Sequence, residues 1–316
     1  MQLIRGINNI RSEDHGCVLT IGNFDGVHLG HQRVIEALVQ KAKELNCSAA
    51  VMVFEPQPQE LFRPESAPAR LTRLRDKYTL LKKLGVERLI CVNFNQHFAN
   101  ISAADFIEQL LVNKLGVKHL IIGDDFRFGK NRQGDFNLLK AASKTFAFGL
   151  SDTASYKLAH CRISSTAIRH ALEEDKLTEA ANMLGREYSI AGRVVHGDKR
   201  GRKLGFPTAN VLLKRRVSPV SGVYVVKAIT INNESTPWYG VANIGSRPTV
   251  AGIRQQLEVH LFNFSGNLYG QAIEIILMKK LRSEQRFNDL SSLTAQIVID
   301  SQQAKDYLAK EDKKQN

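Results

Sequence analysis

The chain has 316 residues, 43% of them apolar, 24% charged and 7% aromatic, which excludes collagen-like, low-complexity and largely disordered classes. Its length is enough for two ordinary domains. The net charge of +13 is spread over the chain, with 25 basic against 20 acidic residues up to Arg186 and 19 against 11 after it. That excess calls for an anionic partner, either nucleic acid or a polyanion such as a nucleoside triphosphate. No apolar run approaches the ~20 residues of a membrane span. The opening MQLIRGINNIRSEDHG has no apolar signal core, so a soluble, cytoplasmic protein is expected. Cys17, Cys47, Cys91 and Cys161 form no CxxC pair. They read as small core hydrophobes rather than as a zinc site or a disulfide framework.

The first half alternates strands with helices. Val18–Ile21 is a short apolar run closed by Gly22, and from Leu29 the apolar residues Val34, Ile35, Leu38, Val39, Ala42 and Leu45 recur at helical spacing. A strand over 49–54, a helix over 76–84, a strand over 88–92, a helix over 103–115 and a strand over 119–122 follow. This alternation predicts a parallel sheet covered on both faces, with ligands beyond the carboxyl ends of its strands. At Arg186 the texture changes. Short β-rich runs over 189–196, 222–231, 238–244, 257–264 and 272–278 suggest an antiparallel barrel or sandwich. Leu290, Leu293, Ile297 and Ala304 then mark a terminal helix, and the last residues, KEDKKQN, are expected to fray. The reading is two domains, 1–186 and 187–316.

Two constellations carry chemistry. In GNFDGVHLGHQ, Gly22, Gly26 and Gly30 allow sharp turns and close backbone approach, while His28 and His31 project from one side of a first helical turn. A helix N-terminus offers free N–H groups and partial positive charge, so phosphate is its natural ligand. Ile163-Ser164-Ser165-Thr166-Ala167-Ile168-Arg169 sets hydroxyls before a helix and a guanidinium one turn in. It reads either as an N-cap or as a second phosphate site.

In GRVVHGDKRGRKLGFPTANV, Gly197, Gly201 and Gly205 surround the basic residues Lys199, Arg200, Arg202 and Lys203. The stretch reads as a charged hairpin loop, as an RNA-binding patch that lacks interleaved aromatics, or as a flap over ATP phosphates. Thr208 and Asn210, at i and i+2, put two neutral oxygens on one side, which suits magnesium. Leu257, Val259 and Leu261 alternate with Glu258 and His260, so Glu258 stands on a polar strand face.

The HxGH string with a late ISSTxIR resembles the nucleotidyltransferase superfamily. The strings GNFDGVHLGH, FEPQP, IIGDDFRFGKNRQGD and ISSTAIR resemble the adenylyltransferase module of prokaryotic FAD synthetases. The resemblance implies an α/β, Rossmann-like domain with His28 and His31 on the ATP phosphates. Gly22, Phe24, Asp25, Gly26, Ser164, Ser165, Thr166 and Arg169 join them in that site. Asp125, Phe126 and Phe128 are implied at the flavin. Gln57 departs from the histidine common at its position and receives no role.

The second constellation, with Gly222-Val223-Tyr224, Asn243–Pro248 and Leu257–His260, resembles the riboflavin kinase family. That implies a Greek-key β-barrel with a terminal helix. Gly197, Gly201, Lys203, Gly205, Thr208 and Asn210 would bind ATP, Thr208 and Asn210 would also hold Mg2+, and Glu258 would be the base near the ribityl 5′-hydroxyl. Together the two halves imply an enzyme that phosphorylates riboflavin to FMN and adenylylates FMN to FAD. Its partners are the small molecules ATP, riboflavin and FMN, with no membrane and no nucleic acid. Oligomeric state is not legible here. The competing readings are a basic RNA-binding shell without turnover, and an enzyme with one live activity.

Overall fold

A computed structural model of the chain describes residues 1–123, 125–153, 163–197, 205–213, 216–231, 236–249 and 252–315. By their contacts these form two units, Met1–Pro68 with Thr72–Ser165, and Ala69–Leu71 with Thr166–Asn316.

The first unit is built on six parallel strands: β1 (Gln2–Arg5), β2 (Cys17–Ile21), β3 (Ser48–Glu55), β4 (Arg88–Asn93), β5 (Val117–Ile122) and β6 (Gly149–Asp152). They lie in the order β1-β4-β3-β2-β5-β6. Alternation sorts the side chains of the inner strands to two faces. Val18, Val51 and Leu89 pack with Ile35, Leu38 and Leu81 from the helices Leu29–Glu44 and Leu74–Lys83. Leu19, Met52 and Ile90 pack on the other side with Leu110, Leu111 and Leu139. Both faces are covered, as the unbroken apolar strands require.

The chain steps outward from β2 to β3 and β4, then returns to place β5 on the opposite side of β2. The loops after β2 and β5 therefore leave the sheet in opposite directions and open a crevice between them.

One helix differs from its expected form. Ala103–Asp105 is a single α turn that continues as a π-helix over Phe106–Lys114. Its buried residues come as the adjacent pairs Phe106, Ile107 and Leu110, Leu111, which the wider i→i+5 turn keeps on one side.

In the second unit, six antiparallel strands close a barrel in the order β10-β11-β8-β7-β12-β9. They are β7 (Ser189–Val195), β8 (Ala209–Leu212), β9 (Gly222–Thr230), β10 (Trp238–Thr249), β11 (Gly252–Leu261) and β12 (Ala272–Arg282). β9, β10 and β11 follow one another across the wall, and β12 returns beside β9, the connectivity of a Greek key. Inward residues such as Val211, Tyr224, Ile244, Leu257, Val259 and Ile275 fill the barrel. The same core takes in Ile168, Leu172, Ala180 and Leu184 of the helices Ser165–Glu173 and Leu177–Leu184. Lys280 Nζ donates to both carboxylate oxygens of Asp175, 2.8 Å each, and fixes the turn between those two helices to β12.

The terminal helix runs over Leu290–Gln315, so the lysine-rich end continues the helix rather than fraying, as a run of good helix formers favours. Asp300, near mid-helix, accepts from Arg282 Nε at 3.0 Å and Nη2 at 2.7 Å, and from Gln296 Nε2 at 2.9 Å. The side chains of Arg282 and Asp300 are 18% and 4% exposed, so the pair is largely desolvated. Losing one partner strands the other charge. Asp300→Ala is expected to cost the barrel about 3 kcal/mol in urea unfolding, well above the cost of breaking a surface pair.

Candidate active sites

The loop from Gly22 to His28 joins β2 to its helix through unusual backbone. Phe24, Gly26 and Val27 have φ of 45°, 85° and 43°. A β-branched valine there is a strained conformer that its surroundings must impose. They do so through buried hydrogen bonds. Gly26 N–H donates to Thr72 Oγ1 at 2.9 Å, and Thr72 donates to Asp25 Oδ1 from its N–H at 2.9 Å and its hydroxyl at 3.2 Å. Gln32 Nε2 donates to Val27 O at 2.9 Å, and Ser165 Oγ donates to Asp25 O at 2.9 Å. Asp25 is thus a buried brace that shapes this loop.

His28 caps the helix, its Nδ1 accepting from His31 N–H at 3.2 Å, which leaves its ring proton on Nε2. The two imidazoles stack with centroids 3.6 Å apart and planes 16° from parallel. Gly30 makes room for this, since a Cβ there would sit 3.2 Å from the His28 ring. His31 Nδ1 is buried without a hydrogen-bond partner. Burial, then His28, then the Lys77 cation hold the His31 imidazole well below its ordinary 6.5. Lys77 is 1% exposed and was not apparent from the sequence, where it reads as a solvated helix lysine.

Beside this loop lies a cavity of about 1180 Å³. Gly22 and Asn23 line it on one side and Asp125, Phe126 and Phe128 on another, so the loops after β2 and β5 share one space. Phe126 and Phe128 lie 5.6 Å apart and 18° from parallel, and Phe106 stands 5.0 Å from Phe128. Phe54, Phe62, Phe94 and Phe98 complete a lining that uses seven of the fifteen phenylalanines. Arg63, Arg127 and Arg132 stand at it as well. An aromatic slot with cations around it suits a flat heteroaromatic ligand bearing phosphate.

Ser164 and Ser165 belong to the first unit, and Thr166 and Arg169 to the second. Arg169 Nε donates to Ala69 O at 2.6 Å.

In the barrel, the register sets Asn210 of β8 and Asn243 of β10 on either side of Glu258 of β11, a polar row across the outward wall. Leu257 and Val259 are fully buried between them. Gln256 Nε2 donates to Asn210 Oδ1 at 2.8 Å and to Glu258 Oε1 at 2.7 Å. Gly197 faces the same carboxamide, and a Cβ at that position would overlap Asn210. Gly205 turns the chain at φ 83°, and His260 Nδ1 meets Pro207 O at 3.0 Å, which seats the segment that carries Thr208. Phe206 packs edge-on to the His260 ring at 5.4 Å. Gly201 and Lys203, with Lys199, Arg200 and Arg202, lie outside the described residues. Among the described residues no three His, Cys, Asp or Glu side chains gather as a metal site. Sequence reading passed over Gln256, although its place two residues before Glu258 puts both on one strand face.

The FAD synthetase family matches residues 10–167 and the riboflavin kinase family residues 184–308. The chain is 52% identical to the bifunctional riboflavin kinase/FMN adenylyltransferase of Escherichia coli strain K12 over 97% of its length and 98% of that protein. It is 54% identical to the protein of the same description from Haemophilus influenzae, over 96% and 98%. A crystal structure described as a macrolide-efflux protein from Streptococcus pneumoniae superposes with a TM-score of 0.77 at 27% identity, covering 95% of this chain and 97% of that one. Among the described residues no helix is long and apolar enough to cross a membrane.

The depressed His31 imidazole has a readable consequence. Below about pH 6.5 the unfolded chain takes up a proton that folded His31 refuses. Stability is therefore intact above that pH and falls below it, by up to about 1.4 kcal/mol per pH unit for this group. Urea unfolding at pH 7 and 5.5 should show the slope flattened in His31→Asn. Inorganic triphosphate bound at the loop should reverse the shift, so calorimetry in buffers of unlike ionisation enthalpy should register proton uptake.

Proposed function

The chain belongs to the bifunctional riboflavin kinase/FMN adenylyltransferase family, and on that premise we propose how its own residues divide the two reactions. The enzyme phosphorylates riboflavin to FMN with ATP, then transfers AMP from a second ATP to FMN, giving FAD and pyrophosphate. We assign the functional modules to residues 1–186 and 187–316, a division supported by the riboflavin kinase match beginning at residue 184.

The observation that carries the adenylylation reading is the shared space of the phosphate loop and the aromatic cavity. The isoalloxazine ring lies among Phe126, Phe128 and their aromatic neighbours, with Asp125 at its polar edge. ATP lies along Gly22, Phe24, Asp25 and Gly26, its phosphates on His28, His31 and the helix N-terminus, joined by Ser164, Ser165, Thr166 and Arg169. An FMN phosphate oxygen attacks the α-phosphorus of ATP, and the bond to pyrophosphate breaks. The attacking phosphate is already an anion at neutral pH, so no strong base is required. Positioning and charge neutralisation carry the step, and His28 Nε2–H, with a His31 that gains its proton as the triphosphate binds, can donate to the triphosphate.

In the barrel the attacking group is a hydroxyl, and its proton needs an acceptor. Glu258 takes the proton of the ribityl 5′-hydroxyl as that oxygen bonds to the γ-phosphorus and ADP leaves. Gly197, Gly201, Lys203 and Gly205 cradle the ATP phosphates. Thr208 and Asn210 are proposed to hold Mg2+. The fit rests on a donor set made of oxygens alone, and on Asn210 Oδ1 retaining a second lone pair after it accepts from Gln256. When bound, the ion draws charge from the transferred phosphoryl oxygens. Both reactions consume ATP, which supports a cytoplasmic enzyme.

Flavins separated by chromatography during incubation with riboflavin, ATP and magnesium test the division. Wild type should pass from riboflavin through FMN to FAD. Glu258→Gln should slow FMN formation by about 10²–10⁴-fold while FMN supplied directly still becomes FAD. His28→Ala with His31→Ala should let FMN accumulate, with FAD formation down by at least ~10²-fold. Undiminished FAD output in the histidine variant would refute the phosphate assignment.

A further inference from the structure

We propose that Gln256 is a positioning residue of the kinase site, a single carboxamide nitrogen that ties the metal-side oxygen of Asn210 to the base Glu258. The inference rests on the reading of those two residues given above.

A side-chain amide nitrogen carries two protons in a fixed planar fork. In Gln256 both acceptors are present, Asn210 Oδ1 at 2.8 Å on the neighbouring strand and Glu258 Oε1 at 2.7 Å on its own. The register explains the reach. Glu258 faces Asn210 directly, while Gln256 faces Leu212 two pairs along, so its side chain crosses diagonally to Asn210. Asn210 is 8% exposed, which leaves its amide little access to water as a substitute partner.

The consequence concerns which end of Asn210 faces the reaction. Asn210 and Glu258 are cross-strand partners, and the amide of Asn210 can meet a carboxylate with either end. Left alone with Glu258, it turns its NH2 toward the carboxylate, because two acceptors repel and a donor attracts. That rotation carries Oδ1 away from the metal position. With Gln256 between them, the donor that both oxygens need comes from a third residue. Asn210 then keeps its oxygen on this side. Gly197 reinforces the arrangement, since any larger residue there would press on the Asn210 amide. The effect is orientational and adds no charge.

The test uses the full chain with Gln256→Met, which keeps the side-chain volume and removes both donors, and Gln256→Glu, which keeps the shape and replaces the donor by an acceptor. Kinase kcat should fall about 10-fold or more in the first, and further in the second, with the riboflavin KM within twofold of wild type. Manganese binding in the presence of ADP, read from the EPR signal of the free ion, should weaken about 10-fold in Gln256→Met. A His28→Ala, His31→Ala background would silence the other nucleotide site for this measurement. FMN adenylylation should be unchanged by either Gln256 substitution in the chain that retains His28 and His31.

Unchanged kcat and unchanged manganese binding in variants that keep a cooperative barrel unfolding transition would overturn the proposal. So would a fall in kcat matched by an equal rise in riboflavin KM and a lowered transition, the mark of a purely structural role. If Gln256→Met alone loses its fold, Gln256→Glu decides by the same two readouts. Kinase activity retained in Glu258→Gln would instead remove Glu258 as base, and manganese binding would still report on Gln256 and Asn210.

Discussion

The reversal of strand order at β2 is the constraint from which the first site follows. Parallel strands joined by helices deliver their carboxyl ends to one edge, and most neighbouring loops there crowd the same side. Only where the chain changes direction, between β2 and β5, do adjacent loops diverge and leave room for a ligand. The glycine-rich turn to His28 and the segment of Phe126 and Phe128 are those two loops. The start of the glycine-rich turn on one side and aromatic rings on the other border a single crevice. The strained conformers of Phe24 and Val27 persist because Asp25, Thr72 and Gln32 consume the polar groups that would otherwise relax them.

The two halves face different proton problems, and their architecture reflects it. A phosphate nucleophile arrives ionised, so the first site needs donors and cations rather than a base. Burial above all, then the stacked His28 ring and the Lys77 cation, hold the His31 imidazole well below its ordinary range, so His31 waits neutral. A hydroxyl nucleophile arrives protonated, and a barrel wall suits its removal. On a strand whose alternate residues are sealed into a core, the remaining side chains are held at fixed spacing along one face. Leu257 and Val259 serve Glu258 in that way by being buried on either side of it.

Much of this was legible in the sequence because it rests on local pattern. Period-two and period-3.6 runs located the inner strands of the sheet, five of the six barrel strands and the terminal helix. The glycines and histidines around residue 28 marked the loop that leads from β2 to the cavity. What escaped has physical reasons. β1 and β6 are four-residue edge strands, too short to show alternation, and β8 is as short and comes after a charge-rich stretch of sequence. The π-helix carries the same apolar residues as an α-helix and differs in hydrogen-bond register, which composition does not encode. The aromatic cavity draws on segments from Phe54 to Phe128, so no single window contains it, although the ends of β3, β4 and β5 each carry a phenylalanine nearby. Helices 165–173 and 177–184 share the barrel core through Ile168, Leu172, Ala180 and Leu184, while the composition shifts only after them.

Gln256 illustrates why a neutral side chain can be the better coupler. A lysine there would also bridge two oxygens, but its charge would weaken Glu258 as the proposed base and repel the proposed divalent cation. An amide fixes direction through its planar fork and leaves the electrostatics of the site to Glu258, the ion and the phosphates. The cost is geometric, since such a fork works only when both acceptors are held in place. The β8 to β11 register and the close approach of Gly197 to Asn210 meet that condition, so the barrel's strand pairing is itself part of how the kinase site is set.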